Sequence, residues 1–349
     1  GEGDAAEAKA DEPPRTLGSA LDAARPLLAL LGVYLSDYPD LFTLVCRVLR
    51  AHLIGDKADW LAADRAMQRR TMQTLKLLTR ALPLVGASPA LAAELWEPLR
   101  ALPYHMRFRL YESWLLDAYE EHPLLRLMKR RIEYDSRQVI KRIAVETIRP
   151  SSCRLSKLSH ANAPVVVRSL LARMEVYDNM IPSAVDSLRH LGPLARDCLA
   201  ACLVLQLSLG RSPLKEDGAN HAHWLASLAK FAGAYYRKYP TTELAGLLHF
   251  TVNRLRANSS LELLVLSNVL ADMGEVELVE DLSESQLEGQ AGGPELRQRT
   301  AIASKNASKH ASFAISCLRD ALLGRAALSH GSMPEPEPTP TAASASASA

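Results

Sequence analysis

Residues 221–257 read HAHWLASLAKFAGAYYRKYPTTELAGLLHFTVNRLRA, and the spacing of their apolar side chains decides the fold. Trp224, Leu228, Phe231 and Tyr235 recur at intervals of three and four, and Leu225, Ala232 and Tyr236 widen that stripe. After the break at Pro240, Leu244, Leu247, Leu248, Thr251 and Leu255 repeat the pattern. One apolar face per 3.6 residues is the mark of an amphipathic helix. Two such helices joined by a short connection pack as antiparallel neighbours. Thr241 is the expected N-cap of the second, with Glu243 in its first turn.

Outward from this pair the rest of the chain follows the same rule. Ala, Leu, Arg and Glu dominate, while β-branched runs and aromatics are few, which is the composition of helices. Ser88 with Pro89 and His122 with Pro123 predict helix starts, and Gly192 followed by Pro193 predicts a stop and a restart. About a dozen helices of roughly 12 to 25 residues, mostly with short loops, give stacked hairpins. No strict period is visible, so the expected class is all-α, a HEAT-like helical-repeat solenoid.

The 349 residues are nearly half apolar, enough for a large core, and 41 basic residues against 39 acidic leave a net charge of only +2. That balance excludes a surface wholly devoted to nucleic acid, so any basic patch is local. Residues 1–14 and 331–349 are biased and polar and are expected to be disordered. The acidic stretch from about 274 to 296 is expected to be a connector. The apolar runs near Pro26 to Leu35 and Cys198 to Leu205 are short for a membrane span, and no signal core is present. With Cys46, Cys153, Cys198, Cys202 and Cys317 scattered through helical patterns, this points to a soluble intracellular protein in a reducing compartment.

Candidate chemistry is sparse. There is no Walker or Gly-x-Gly-x-x-Gly loop, and the glycines at Gly289, Gly292 and Gly293 sit in the acidic connector. Cys198 and Cys202 share a helical face but are flanked by Leu199, Ala201, Leu203 and Val204, so buried thiols are expected rather than a zinc site. Nothing orients Cys153 and His160 as nucleophile and base, and His221 with His223 reads as a solvated helix start. No catalytic residue, metal or cofactor is assigned.

Charge carries more. From Arg126 to Lys157 ten basic residues, including Arg130, Arg131, Lys141 and Arg142, face only Glu133, Asp135 and Glu146. This predicts a long basic connecting helix over 123–158, between a helical-repeat segment at 15–122 and a helical domain at 159–328. Such a segment contacts RNA phosphates, receives an acidic partner, or is simply a solvated face. Its near lack of aromatics, Tyr134 excepted, weakens single-strand binding.

Several stretches resemble the THO complex subunit 2 family: RLYESWL (109–115), HPLL (122–125), KRIAVETIRPS (141–151), KLSHANAPVVV (157–167), YDNMIPSAVDSLRHL (177–191), WLASLAKFAGAYYRKYPTTELAGLL (224–248) and QLEGQAGGPEL (286–296). The resemblance is good from Arg109 to Leu296 and looser before it. It implies a non-catalytic helical scaffold of the nucleus, acting in transcription-coupled messenger ribonucleoprotein (mRNP) assembly and mRNA export. Its partners would be other THO subunits and a DEAD-box RNA helicase, with the mRNP bound indirectly. The region from about Lys157 is similar to the middle domain of the translation initiation scaffold, which implies helicase docking. On that view the polar helix ends at Lys157, His160, Asn162, Arg237 and Lys238 are candidate docking residues. The bland alternatives are that His160 and Asn162 cap a helix near Pro164 and that Arg237 and Lys238 complement a helix C-terminus. A direct RNA-binding solenoid, or an unrelated helical adaptor in translation, are the competing functions.

Overall fold

The computed structural model describes residues 16–55, 65–216 and 220–274. The expected disordered ends, the acidic connector beyond Gly274 and the helices expected up to residue 328 lie outside the described residues. Among the described residues every regular element is helical, and the only β pairing is an isolated bridge between Leu214 and His221.

In chain order the helices are α1 (Leu17–Leu31), α2 (Pro39–Gly55), α3 (Arg65–Ala81), α4 (Pro89–Leu99), α5 (Tyr104–Ser113), the single turn α6 (Tyr119–Glu121), α7 (Pro123–Ile140), α8 (Ile148–Met174), α9 (Ile181–Ser187), α10 (Pro193–Leu207), α11 (His223–Lys238), α12 (Ala245–Arg256) and α13 (Leu263–Gly274). The expected starts at Pro89, Pro123 and Pro193 are all present: proline tolerates the first helical position, where its missing N–H has no partner to lose. Ser88 Oγ accepts from the Leu91 N–H at 3.4 Å and His122 Nδ1 from that of Leu124 at 3.3 Å. The N-cap of α12 is Leu244 rather than the expected Thr241, and the Glu243 carboxylate before it accepts from the Ala245 N–H at 3.2 Å.

The basic stretch is two helices rather than one. A continuous helix would drive the ring of Pro150 into the Glu146 carbonyl four residues earlier and would lose its N–H bond, so the chain breaks between Ile140 and Ile148. Thr147 Oγ1 accepts from the Ala144 N–H at 3.0 Å and holds the turn. Pro164 acts likewise inside α8, where Asn162 leaves helical geometry (φ −134°, ψ 45°) and kinks the helix. Between α5 and α6 a π turn, Trp114–Ala118, keeps Tyr111, Trp114, Leu115, Ala118 and Tyr119 all on the buried side.

Helices pack on neighbours one or two places along the chain, α2 on α4, α7 on α8, α8 on α10 and α11 on α13, and these layers meet at α10. That helix touches α4, α5, α8, α11 and α12. It is apolar nearly all round, as burial from several sides requires, with Leu194, Cys198, Leu199, Cys202, Leu203 and Leu207 all in the core. At the other end, α1 with its 3-10 extension forms a 21-residue stretch, Leu17–Asp37, that holds an 18-residue window of mean hydropathy 1.2. By length and composition this reaches a membrane span, contrary to the sequence expectation. It contains Asp22, which pairs with Arg25 and with Arg70 of α3, and it packs through Leu21, Leu28, Val33 and Leu35.

Candidate protein-docking surface

Of the residues expected at polar helix ends, Lys157 is exposed on α8, His160 is half-buried and Asn162 is in the core at 2% exposure. The Tyr119 hydroxyl donates to Asn162 Oδ1 at 2.9 Å, and that bond braces the kink. At that burial the Asn162 side chain faces the core rather than solvent. Burial lowers the pKa of His160, favouring its neutral form.

Arg237 and Lys238 are exposed in the last turn of α11, where cations complement the helix C-terminus. Lys238 pairs with Asp186 of α9, and the charge of Arg237 lies close enough to Asp272 to oppose the rise that burial causes in its pKa. The two groups of residues border one segment. Ser156, next to Lys157, donates to the His190 carbonyl at 2.7 Å, while Tyr239, next to Lys238, donates to the Val185 carbonyl at 2.9 Å. Around α9 and the turn after it, Lys157, Arg189, His190, Arg237 and Lys238 are all exposed.

The second surface is the outer face of α7. Leu125, Ile132, Ser136 and Ile140 turn inward, which places Arg126, Arg130, Arg131, Arg137 and then Lys141 and Arg142 in solvent. Arg131 reaches Asp135 only at 3.9 Å and Arg137 reaches Glu133 at 3.7 Å. Among the described residues, no carboxylate lies within 4.0 Å of Arg126, Arg130, Lys141, Arg142, Arg149, Arg154 or Lys157. Leu127 (66% exposed) and Tyr134 (63%) sit in the middle of this face. The charge count in the sequence did not single out Leu127, though at 100° per residue it falls opposite Leu125 and Ile132 and was legible there.

Inside the molecule the main polar feature is an ion network that no local pattern announces. Arg107 donates through Nε and Nη2 to the two carboxylate oxygens of Asp197 at 2.8 and 3.0 Å, through Nη2 to Glu243 at 3.0 Å, and through Nη1 to the Leu102 carbonyl at 2.6 Å. Tyr111 donates to Asp197 at 2.8 Å. The network braces α5, α10 and the α11–α12 connection against one another. Burial pushes the Cys198 thiol well above its usual range and that of Cys202 up to about 12, keeping both protonated. Among the described residues, no three His, Cys, Asp or Glu side chains converge as metal ligands. A cavity of about 250 Å³ between α1, α2 and α3 has as its charged lining Asp22, Arg25 and Arg70, and both arginines pair with the one carboxylate.

Comparison with known proteins places this arrangement. Residues 15–152 match the family described as THO complex subunit 2 N-terminus, and residues 155–229 match the Transcription- and export-related complex subunit family. The change from one match to the other falls inside α8. The chain is 34% identical over 314 residues to THO complex subunit 2 of Arabidopsis thaliana, covering 85% of this chain and 17% of that protein. With the Homo sapiens protein of the same name it shares 33% over 278 residues, 78% of this chain and 17% of that one. With that of Saccharomyces cerevisiae it shares 20% over 274 residues. The chain thus spans about a sixth of the length of these relatives. On the family matches, which run from the first helix to α11, and on these identities, the chain belongs to the THO complex subunit 2 family.

Proposed function

We propose that this chain is a non-catalytic scaffold segment of a THO complex. It holds other THO subunits and a DEAD-box RNA helicase together in the nucleus during transcription-coupled mRNP assembly and mRNA export. Family membership carries this reading. The geometry supports it in two ways: the buried polar groups of the Arg107 network are spent on each other, and the exposed polar groups gather on helix faces and ends, where a helical scaffold meets its partners.

Helicase docking is assigned to the border around α9, using Lys157, Arg189, Arg237 and Lys238, with His160 at its edge and Asn162 excluded. Exposed cations of this kind set association rate and orientation more than raw affinity. The test is a binding titration of a purified DEAD-box helicase of the mRNA export machinery against the wild-type chain and the Arg237→Glu/Lys238→Glu variant. We expect at least a fivefold loss of affinity with unchanged circular dichroism. Affinity within twofold of wild type would place the helicase elsewhere. Absence of THO subunits from the material captured by the tagged chain in nuclear extract would defeat the scaffold reading itself.

A further inference from the structure

The outer face of α7 combines exposed apolar and cationic side chains. At 1.5 Å per residue, Leu127 and Tyr134 stand about 10 Å apart along the helix, one heptad from each other on a single line. Arg126, Arg130, Arg137 and Lys141 border this line on one side and Arg131 on the other. Leu124 (45% exposed) stands in the first turn, offset to the Arg131 side of this line, and Val145 (75%) stands beyond the end of the helix. The inward face packs on α8, α6 and the turn after α3, so this outward one is a separate surface.

Cations alone would suit many anions, but the apolar line narrows the choice. Single-stranded nucleic acid is held by aromatic platforms spaced to stack bases, and Tyr134 is the only aromatic side chain here; Leu124, Leu127 and Val145 offer a base nothing to stack on. An aliphatic ridge bordered by exposed guanidinium and ammonium groups matches a helix that carries leucine-like residues at i, i+3 or i+4, and i+7 with carboxylates beside them. The loose contacts at Asp135 and Glu133 compete little, because exposed pairs at such distances contribute next to nothing.

We propose that the outer face of α7 receives an acidic amphipathic helix of a partner protein, with Leu127 and Tyr134 packing on its apolar stripe and Arg126, Arg130, Arg131, Arg137 and Lys141 pairing with its flanking carboxylates. The proposal rests on this surface and not on which complex the chain serves. It is tested on the full chain by fluorescence anisotropy with a labelled synthetic helix bearing leucines along one stripe and glutamates beside it. Controls are a scrambled peptide of equal charge and a single-stranded oligouridine. The striped peptide is expected to bind saturably and at least tenfold tighter than the scrambled one, a difference of about 1.4 kcal/mol. Leu127→Ser/Tyr134→Ser, which alters only exposed side chains, is expected to weaken it at least fivefold, and Arg130→Glu/Lys141→Glu at least tenfold. Equal binding of the scrambled peptide, indifference to the serine pair, or no saturable binding would overturn the proposal. So would tighter binding of oligouridine lost in the glutamate variant alone, which would make this a nucleic-acid surface.

Discussion

Arg107 shows how much a single side chain decides in this fold. It is 7% exposed and bonds to a carboxylate 90 residues away, to another 136 residues away and to a carbonyl on its own side of the core. Its guanidinium presents a rigid fork that a lysine could not imitate. Removing one partner of such a buried pair leaves the other charge unmatched, which costs about 3–5 kcal/mol, whereas removing both is far milder. Arg107→Met is therefore expected to lower unfolding free energy by about that amount in urea titration, and adding Asp197→Leu should restore at least half of the loss. An Arg107→Met variant as stable as wild type would show that the network contributes nothing to the core. Arg107 looks in sequence like any of its basic neighbours on α5, because only burial distinguishes it.

Gly233 sets the distance between two elements. A Cβ built there would stand 2.3 Å from a carboxylate oxygen of Asp272 and 2.8 Å from the backbone carbonyl of Asn268, so α11 and α13 approach more closely than any side chain allows. Burial of Asp272 at this crossing raises its pKa, and the nearby charge of Arg237 opposes that rise. On an open helix, Gly→Ala stabilises by about 1 kcal/mol. Here the helices must part, and Gly233→Ala is expected to destabilise by about 1–3 kcal/mol instead. Asp272→Ala should relieve only part of this, since the Asn268 carbonyl remains. A higher melting temperature for Gly233→Ala would show that the two helices separate without penalty. The apolar stripe of α11 was readable in advance, with one adjustment. Its centre lies on Leu225 rather than Trp224, which is half-buried beneath the Arg211 guanidinium at 4.1 Å.

At the scale of the molecule, α10 makes one core out of what the sequence presents as two helical regions. Helices from both sides of it, α4 and α5 as well as α11 and α12, share its surface. Cooperative unfolding follows when no boundary with few contacts crosses the chain. Calorimetry is expected to give one transition. Cys198→Asp, which introduces a carboxylate at a fully buried position of α10, should shift that whole transition downwards by several kcal/mol of stability. A split into two transitions, with only one displaced by Cys198→Asp, would mean that the parts before and after α8 fold separately.

What the sequence by itself determined is the local order: helices from the 3.6-residue stripes at 221–257, starts from Ser88, His122 and the prolines after them, and the buried character of Cys198 and Cys202 from their apolar neighbours. These signals lie within one or two turns of the residue concerned, so no distant contact is needed to read them. Even the broken basic stretch was written there, in Pro150. Only the tertiary structure decided the rest. Asn162 reads as a polar helix end until Tyr119, 43 residues earlier, closes over it. Arg107 and Asp197 become partners, Leu127 and Tyr134 become an exposed line between cations, and α10 becomes a shared centre, because each depends on which helices meet across long stretches of chain. A periodic stripe says that a face is buried; it carries no information about what buries it.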